Sequence, residues 1–313
     1  MERELWPPLY RLVCDAGASV RQAGVTFQPH IVVAVLLWAA LHDRPLCWAC
    51  DGRHWAGTTL RPAGLPSPAT RSRRLKSIAV GVLMRLLADR ARDADEPQLV
   101  AILDGKPPPV GGASHDPDAR NGHGAGKIAK GYKRHAVWGG RPMPEAWSIE
   151  PLSECETKAA ERLLPELAGG GGYLLGDGEY DANAVYDAAG EAGYQLVAPR
   201  EDPEAGLGHH YQSPYRLRSI ALLRGASGRV DDRGGEAPSL GRLIERRLRG
   251  DFGRALYALR GGIERDFGNA TSFAGGLAPL PSWVRRLGRV WRWVWAKLLI
   301  NAVRIMKKKR LTP

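Results

Sequence analysis

Apolar residues recur at helical spacing, or run continuously, over residues 10–21, 30–41 and 78–87, which predicts an all-helical N-terminal domain across 1–93. Between them, Ser67 before Pro68 supplies an N-cap and a first helical position for a short basic helix carrying Arg71, Arg73 and Arg74. Its cations suit phosphates and its Thr70 and Ser72 suit base edges; a short packing helix fits the same residues. The acidic stretch 91–97 marks a boundary, and beyond it the pattern changes to strands. Strand-compatible stretches at 99–103, 134–138, 146–149, 173–175 and 194–197, with helical patterns at 154–167 and 182–192, predict a mixed five-stranded α/β sheet with flanking helices. The first run ends at Asp104 and the fourth at Gly176 and Asp177.

Two segments depart from this alternation. The glycine-rich stretch 111–133 is too polar for a core; Arg120, Lys127, Lys130 and Lys133 with Tyr132 suit contact with a phosphate backbone, and its glycines equally suit a hairpin loop. Residues 201–238 hold no sustained period and read as an insertion or long surface connection. Helical spacing returns at 240–248 and 252–267. A long basic amphipathic helix follows at 283–305, with Trp291, Val294 and Leu298 on its apolar side and a basic tail over 306–313.

Composition adds a sign and a location. The chain of 313 residues carries a net charge of +12, and from Leu240 onward it has 17 Lys and Arg against 4 Asp and Glu. A basic excess gathered at one end is the footprint of a polyanion-binding protein. The longest apolar run is too short to span a bilayer and no secretory leader opens the sequence, so a cytoplasmic, nucleoid-associated protein without a membrane partner is expected. Cys47 and Cys50, with His42 and His54, lack a second pair at zinc spacing and read as structural thiols beside Trp48 and Trp55.

Asp104 and Asp177 stand where strands end, the position at which open α/β sheets bind ligands, although Asp177 also suits a helix cap. Tyr257, Arg260 and Glu264 share one face of a helix at i, i+3 and i+7. This set, with the stretches LDGKPPPVGG, LLGDGEYDAN and GIERDFGNATSF, resembles the bacterial insertion-sequence DDE transposases with a ribonuclease H-like domain, over about residues 98–305. The resemblance implies a catalytic domain over 98–305 that cleaves DNA at the ends of an insertion sequence and joins the 3′-hydroxyl to target DNA. It implies Asp104, Asp177 and Glu264 as catalytic residues and ligands of Mg²⁺, replaceable by Mn²⁺, with Asp104 shared by two ions. It implies terminal inverted repeats and target DNA as partners, and a homodimer in the DNA complex. Tyr257, Arg260 and Arg265 join Arg71, Arg73, Arg74, Lys127, Lys130 and Lys133 as expected DNA contacts. One position departs from the family pattern: Thr271 stands where part of the superfamily carries Lys, which leaves that backbone contact to Arg265 or Lys297. A DNA-binding protein without cleavage, and a nuclease of the same fold without joining, are the other readings.

Overall fold

The computed structural model describes residues 2–96, 98–110, 114–124, 126–167, 170–204, 206–207, 209–223, 252–261 and 280–311. Contacts divide it into two units: one holds the chain up to 96 together with the C-terminal helix, and the other is the α/β part between them. The sequence expectation had kept that last helix with the sheet, over 98–305.

The first unit is helical. Helix α1 (Glu2–Ala18), α2 (Pro29–Leu41), α3 (Pro68–Arg74), α4 (Ile78–Arg92) and the C-terminal helix α9 (Leu287–Leu311, numbered after the helices of the second unit) form it. Helix α2 is apolar all round, and ten consecutive residues from Val32 to Leu41 are buried, so it is the central rod on which α1, α4 and α9 pack. Helix α1 starts well before the predicted residue 10 and carries Pro7 and Pro8 inside it. The missing N–H donors are tolerated because Leu5, Trp6 and Leu9 are buried there. Trp6, Trp38 and Trp55 form an aromatic cluster with centroids 4.7–5.5 Å apart. Each indole N–H donates to a backbone carbonyl, of Leu60, His54 and Ala49 respectively, so no indole polarity is stranded. His54 stacks on Trp48 and contacts its carbonyl. Along α9, Val294 and Leu298 are buried as expected, but Trp291 is 36% exposed and Trp293 and Trp295 fill the interior instead. No helix among the described residues is long and apolar enough to cross a membrane.

The second unit is built on a mixed sheet. Strand β1 (Val100–Lys106) pairs antiparallel with β3 (Lys127–Trp138), which pairs antiparallel with β4 (Ala146–Pro151). On its other edge β1 pairs parallel with β5 (Gly172–Leu175), and β5 parallel with β6 (Tyr194–Val197). Three antiparallel strands continued by two parallel ones, with helices on the faces, is the ribonuclease H-like arrangement. The glycine-rich stretch supplies a sixth strand that was not predicted: β2 (Arg120–Gly124) pairs with the first half of β3. Gly122 allows it, since a Cβ there would lie 2.3 Å from the carbonyl oxygen of Leu152.

Side chains alternate across the sheet, so β1 feeds two cores. Ala101 and Leu103 pack with Leu174 and Leu196 under α5 (Glu156–Leu163) and α6 (Asn183–Glu191). Ile102, Leu175 and Val197 pack on the opposite face with Leu256, Tyr257 and Leu259 of α8 (Phe252–Tyr257) and the residues just after it. Helix α7 (Pro214–Leu223) lies within the region read as an insertion, and the hydroxyl of its Ser219 bonds both the N–H and the carbonyl of Ala198.

Candidate functional site

The register of the parallel pair decides where the carboxylates stand. Ile102 is opposite Leu175, so Asp104 and Asp177, each two residues further on, stand just beyond the last β1–β5 pair, and the strand end expected at Asp104 is not found there. Strand β1 continues to Lys106, so Asp104 sits within the strand; its cross-strand neighbour is Ala136, and that of Lys106 is Arg134. Directly opposed residues share a face, so Asp104, Lys106 and Arg134 lie on the side covered by α8. Asp104 is 3% exposed; its Oδ1 accepts from the N–H of Gly105 and its Oδ2 is 2.8 Å from Lys106 Nζ. Arg134 is fully buried, and burial pulls its pKa down to about 10 against the opposing pull of Asp104.

Asp177 does two jobs at once. Its Oδ1 accepts from the N–H of Glu179 and caps the short 3₁₀ turn that follows, while its Oδ2 lies 3.6 Å from Nη2 of Arg260. Burial pushes its pKa up to about 6; Arg260 opposes that, and the charges of Glu156 and Asp104 add to it. Tyr257 donates its hydroxyl to the carbonyl of Gly176, 3.2 Å away, which fixes α8 to the residue just before Asp177. Two members of the Tyr-x2-Arg-x3-Glu pattern therefore reach the second aspartate. Glu264 and Arg265 lie outside the described residues.

A further carboxylate, Glu156, had no role in the sequence reading. It opens α5, its Oε1 is 2.6 Å from Lys133 Nζ, and its charge acts on Asp177, Tyr180 and His135. Gly105 permits that approach: a Cβ there would lie 3.0 Å from Glu156 Oε2 and 3.4 Å from His135 Nδ1. His135 is fully buried, with no hydrogen-bond partner for either ring nitrogen, and burial lowers its pKa to about 4. A glutamate at the first helical position has an ordinary role beside the helix dipole, so only the β1–β3 pairing reveals this one.

The remaining expected DNA contacts are scattered. Lys133 is engaged by Glu156 and largely covered, and Lys130 Nζ donates to the carbonyl of Ser114. The side chain of Lys127 is outside the described residues. On α3, Ser67 accepts from the N–H of Thr70 as predicted, Arg73 is exposed, Arg74 donates to Gln22, and Arg71 is only 9% exposed. Lys297, one of two substitutes for the missing family lysine, is 4% exposed and paired with Asp43 in the helical unit. Among the described residues no group of three or more His, Cys, Asp and Glu is placed to hold a metal ion.

Compared with known proteins, residues 95–297 match the family described as Transposase DDE domain. No curated protein and no solved structure matches the chain.

Proposed function

Because the chain belongs to the transposase DDE domain family, we propose that it cleaves DNA at the ends of a mobile element and joins the freed 3′-hydroxyl to target DNA. The observation that carries this reading is the parallel β1–β5 register, which sets Asp104 and Asp177 just beyond its last pair, with Arg260 beside Asp177.

The donor set fits a hard divalent cation. The site sets Asp177, with its proton affinity raised, beside Asp104 and Glu156, so a further positive charge there is favoured. Carboxylate oxygens are the donors Mg²⁺ takes, and Mn²⁺ accepts the same set. Asp104 and Asp177 would hold it, together with Glu264, seven residues after Tyr257 in the sequence. Bound Mg²⁺ would supply an activated water and neutralise charge on the scissile phosphate.

The chain's own residues do the rest. Lys106 and Arg260 counter the charge of the two aspartates and hold the places that a bound cation would take. Arg260 offers its planar fork to the phosphate beside the scissile one, a geometry that Lys cannot copy. Water oxygen attacks phosphorus and the 3′-oxygen leaves with a proton; that 3′-hydroxyl next attacks a target phosphodiester and expels a target 3′-oxygen. The phosphodiester count is conserved in the second step, so no external energy source is needed.

The test is nicking of a supercoiled plasmid carrying the element ends in Mg²⁺, followed by capture of a labelled 3′ end in a second plasmid. Asp104→Ala, Asp177→Ala and Glu264→Ala should each abolish nicking and leave DNA binding in EDTA intact. A mutant that nicks at the wild-type rate removes its residue from the site. Nicking without capture assigns the chain to nucleases of this fold, and metal-independent binding with no nicking by the wild type assigns it to DNA-binding proteins.

A further inference from the structure

The helical unit contains a cavity of about 570 Å³ bounded by α3, the turn at Pro45, Leu46 and Cys47, and the start of α9. Arg71, Lys76, Arg286, Arg289 and Arg292 line it, and among the described residues no Asp or Glu does. Its floor is apolar, from Leu36, Leu75 and Trp293, and Trp283, 40% exposed, stands in its wall.

Like charges are not gathered beside an apolar floor without cause. Arg71 is nine-tenths buried, its Nε has no acceptor, and its Nη2 has only a long 3.4 Å contact with the carbonyl of Pro68. A guanidinium has five N–H donors, so most of the capacity of Arg71 is unused. Burial lowers the proton affinity of Arg71 and of Arg292, and the charge of Arg289 adds to both effects. At Arg71 the Cys50 and Cys47 thiols oppose that effect, but among the described residues no carboxylate lines the cavity, and an oxyanion bearing several acceptors would satisfy donors and charge together. Ser72, also in the lining, adds a hydroxyl.

We infer that this cavity is a seat for neighbouring backbone phosphates of DNA, separate from the carboxylate site and formed wholly within the helical unit. A polymeric ligand is favoured over a free anion because the surplus of the chain, +12 overall, is concentrated in its C-terminal part, to which Arg289 and Arg292 belong. The inference rests on the DNA-binding half of the proposed function and needs nothing of its chemistry.

The experiment measures duplex binding by the full chain in EDTA across a salt series, so that cleavage plays no part. Arg289→Ala with Arg292→Ala should flatten the slope of log K against log salt by roughly two units, about 0.9 for each phosphate that is no longer neutralised. Lys76→Ala, at an exposed position where folding is not in question, should flatten it by roughly one. Arg53→Ala, whose side chain is exposed and tied to Asp51, is the control and should leave it unchanged. In a parallel arm, inorganic pyrophosphate should raise the melting temperature of the wild type and not that of the double variant. Unchanged slopes in both the double variant and Lys76→Ala overturn the inference. If pyrophosphate stabilises while the slopes stay fixed, the cavity holds a small anion and not DNA. Neither outcome touches the nicking assay, so this inference and the proposed chemistry fail separately.

Discussion

Replacing His135 by Leu should reshape how the stability of the sheet unit depends on pH. His135 is buried on β3 without a hydrogen-bond partner, so an apolar residue of similar size breaks no bond there. Burial takes its pKa from 6.5 to about 4, with Glu156 opposing and Lys133 assisting. The folded state thus refuses a proton that the unfolded chain accepts: stability is complete above 6.5 and is lost as pH falls through about 4. At roughly 1.4 kcal/mol per tenfold change in proton affinity, that loss is about 3 kcal/mol. Asp177 works in the opposite sense. Its folded pKa is raised from 3.8 to about 6, so its contribution is present below 3.8 and lost as pH rises through about 6. A third of its side chain is open to water, and screening reduces the unscreened value of about 3 kcal/mol to roughly half. Between about pH 7 and about pH 4 the two effects partly cancel in the wild type, leaving a shallow net loss on acidification. His135→Leu removes one of them, so variant stability minus wild-type stability should grow by about 3 kcal/mol over that interval. Hydrogen exchange in β1 and β3 peptides, alongside urea unfolding at each pH, reads the sheet unit without averaging over the helical one. A difference that stays constant over the interval would show that His135 takes up its proton inside the fold, and would refute the reasoning.

Asp177→Asn should abolish nicking yet stabilise the sheet unit near pH 7 by about 1 kcal/mol, since burial and the neighbouring carboxylates disfavour its charge more than Arg260 supports it; urea unfolding that shows a loss would reverse this account. Arg260→Lys keeps the charge and loses the fork, so single-turnover cleavage of a pre-bound end should fall at least tenfold (about 1.4 kcal/mol); a wild-type rate would reduce Arg260 to a surface partner of Asp177. Tyr257→Phe deletes the bond to Gly176 and should cost about 1 kcal/mol in the stability of the α8 segment, read by exchange of its amides. Gly105→Ala would press a methyl group against Glu156 and Lys133, and should slow cleavage while far-ultraviolet dichroism stays native; unimpaired cleavage would show that the Glu156 side chain yields freely.

The parallel half of the site was legible because strands that end in a carboxylate leave a strong local signature. Runs reaching Asp104 and Asp177 marked both groups, although β1 continues past Asp104 to Lys106. The antiparallel half was not legible. Strand β2 reads RNGHG, with neither alternation nor β-branched residues, and it is a strand because β3 offers it a partner and glycines allow close approach. Lys133 and His135 were read respectively as a phosphate contact and as part of a strand, because a single strand does not say what lies beneath it. Tryptophans at 291, 293 and 295 spread over more than one helical face, so spacing alone could not choose the buried pair. The packing of α9 with α1, α2 and α4 joins the two ends of the chain, and no local pattern encodes a pairing at that separation.

Those illegible contacts explain why the two aspartates behave differently. Asp104 is enclosed by its own strand and paired with Lys106, and its charge acts on the buried Arg134 of the antiparallel partner. Asp177 has Arg260 at 3.6 Å and the like charges of Glu156 and Asp104 nearby, so its ionised form is costly. A bound cation would relieve that cost at Asp177 while competing with Lys106 at Asp104. Adding Mg²⁺ to the wild type should therefore raise the stability of the sheet unit more at about pH 7 than at about pH 5, where Asp177 is largely protonated, and the difference should vanish in Asp177→Asn. Equal stabilisation at both pH values would place the cation away from Asp177 and leave its raised proton affinity a product of burial alone.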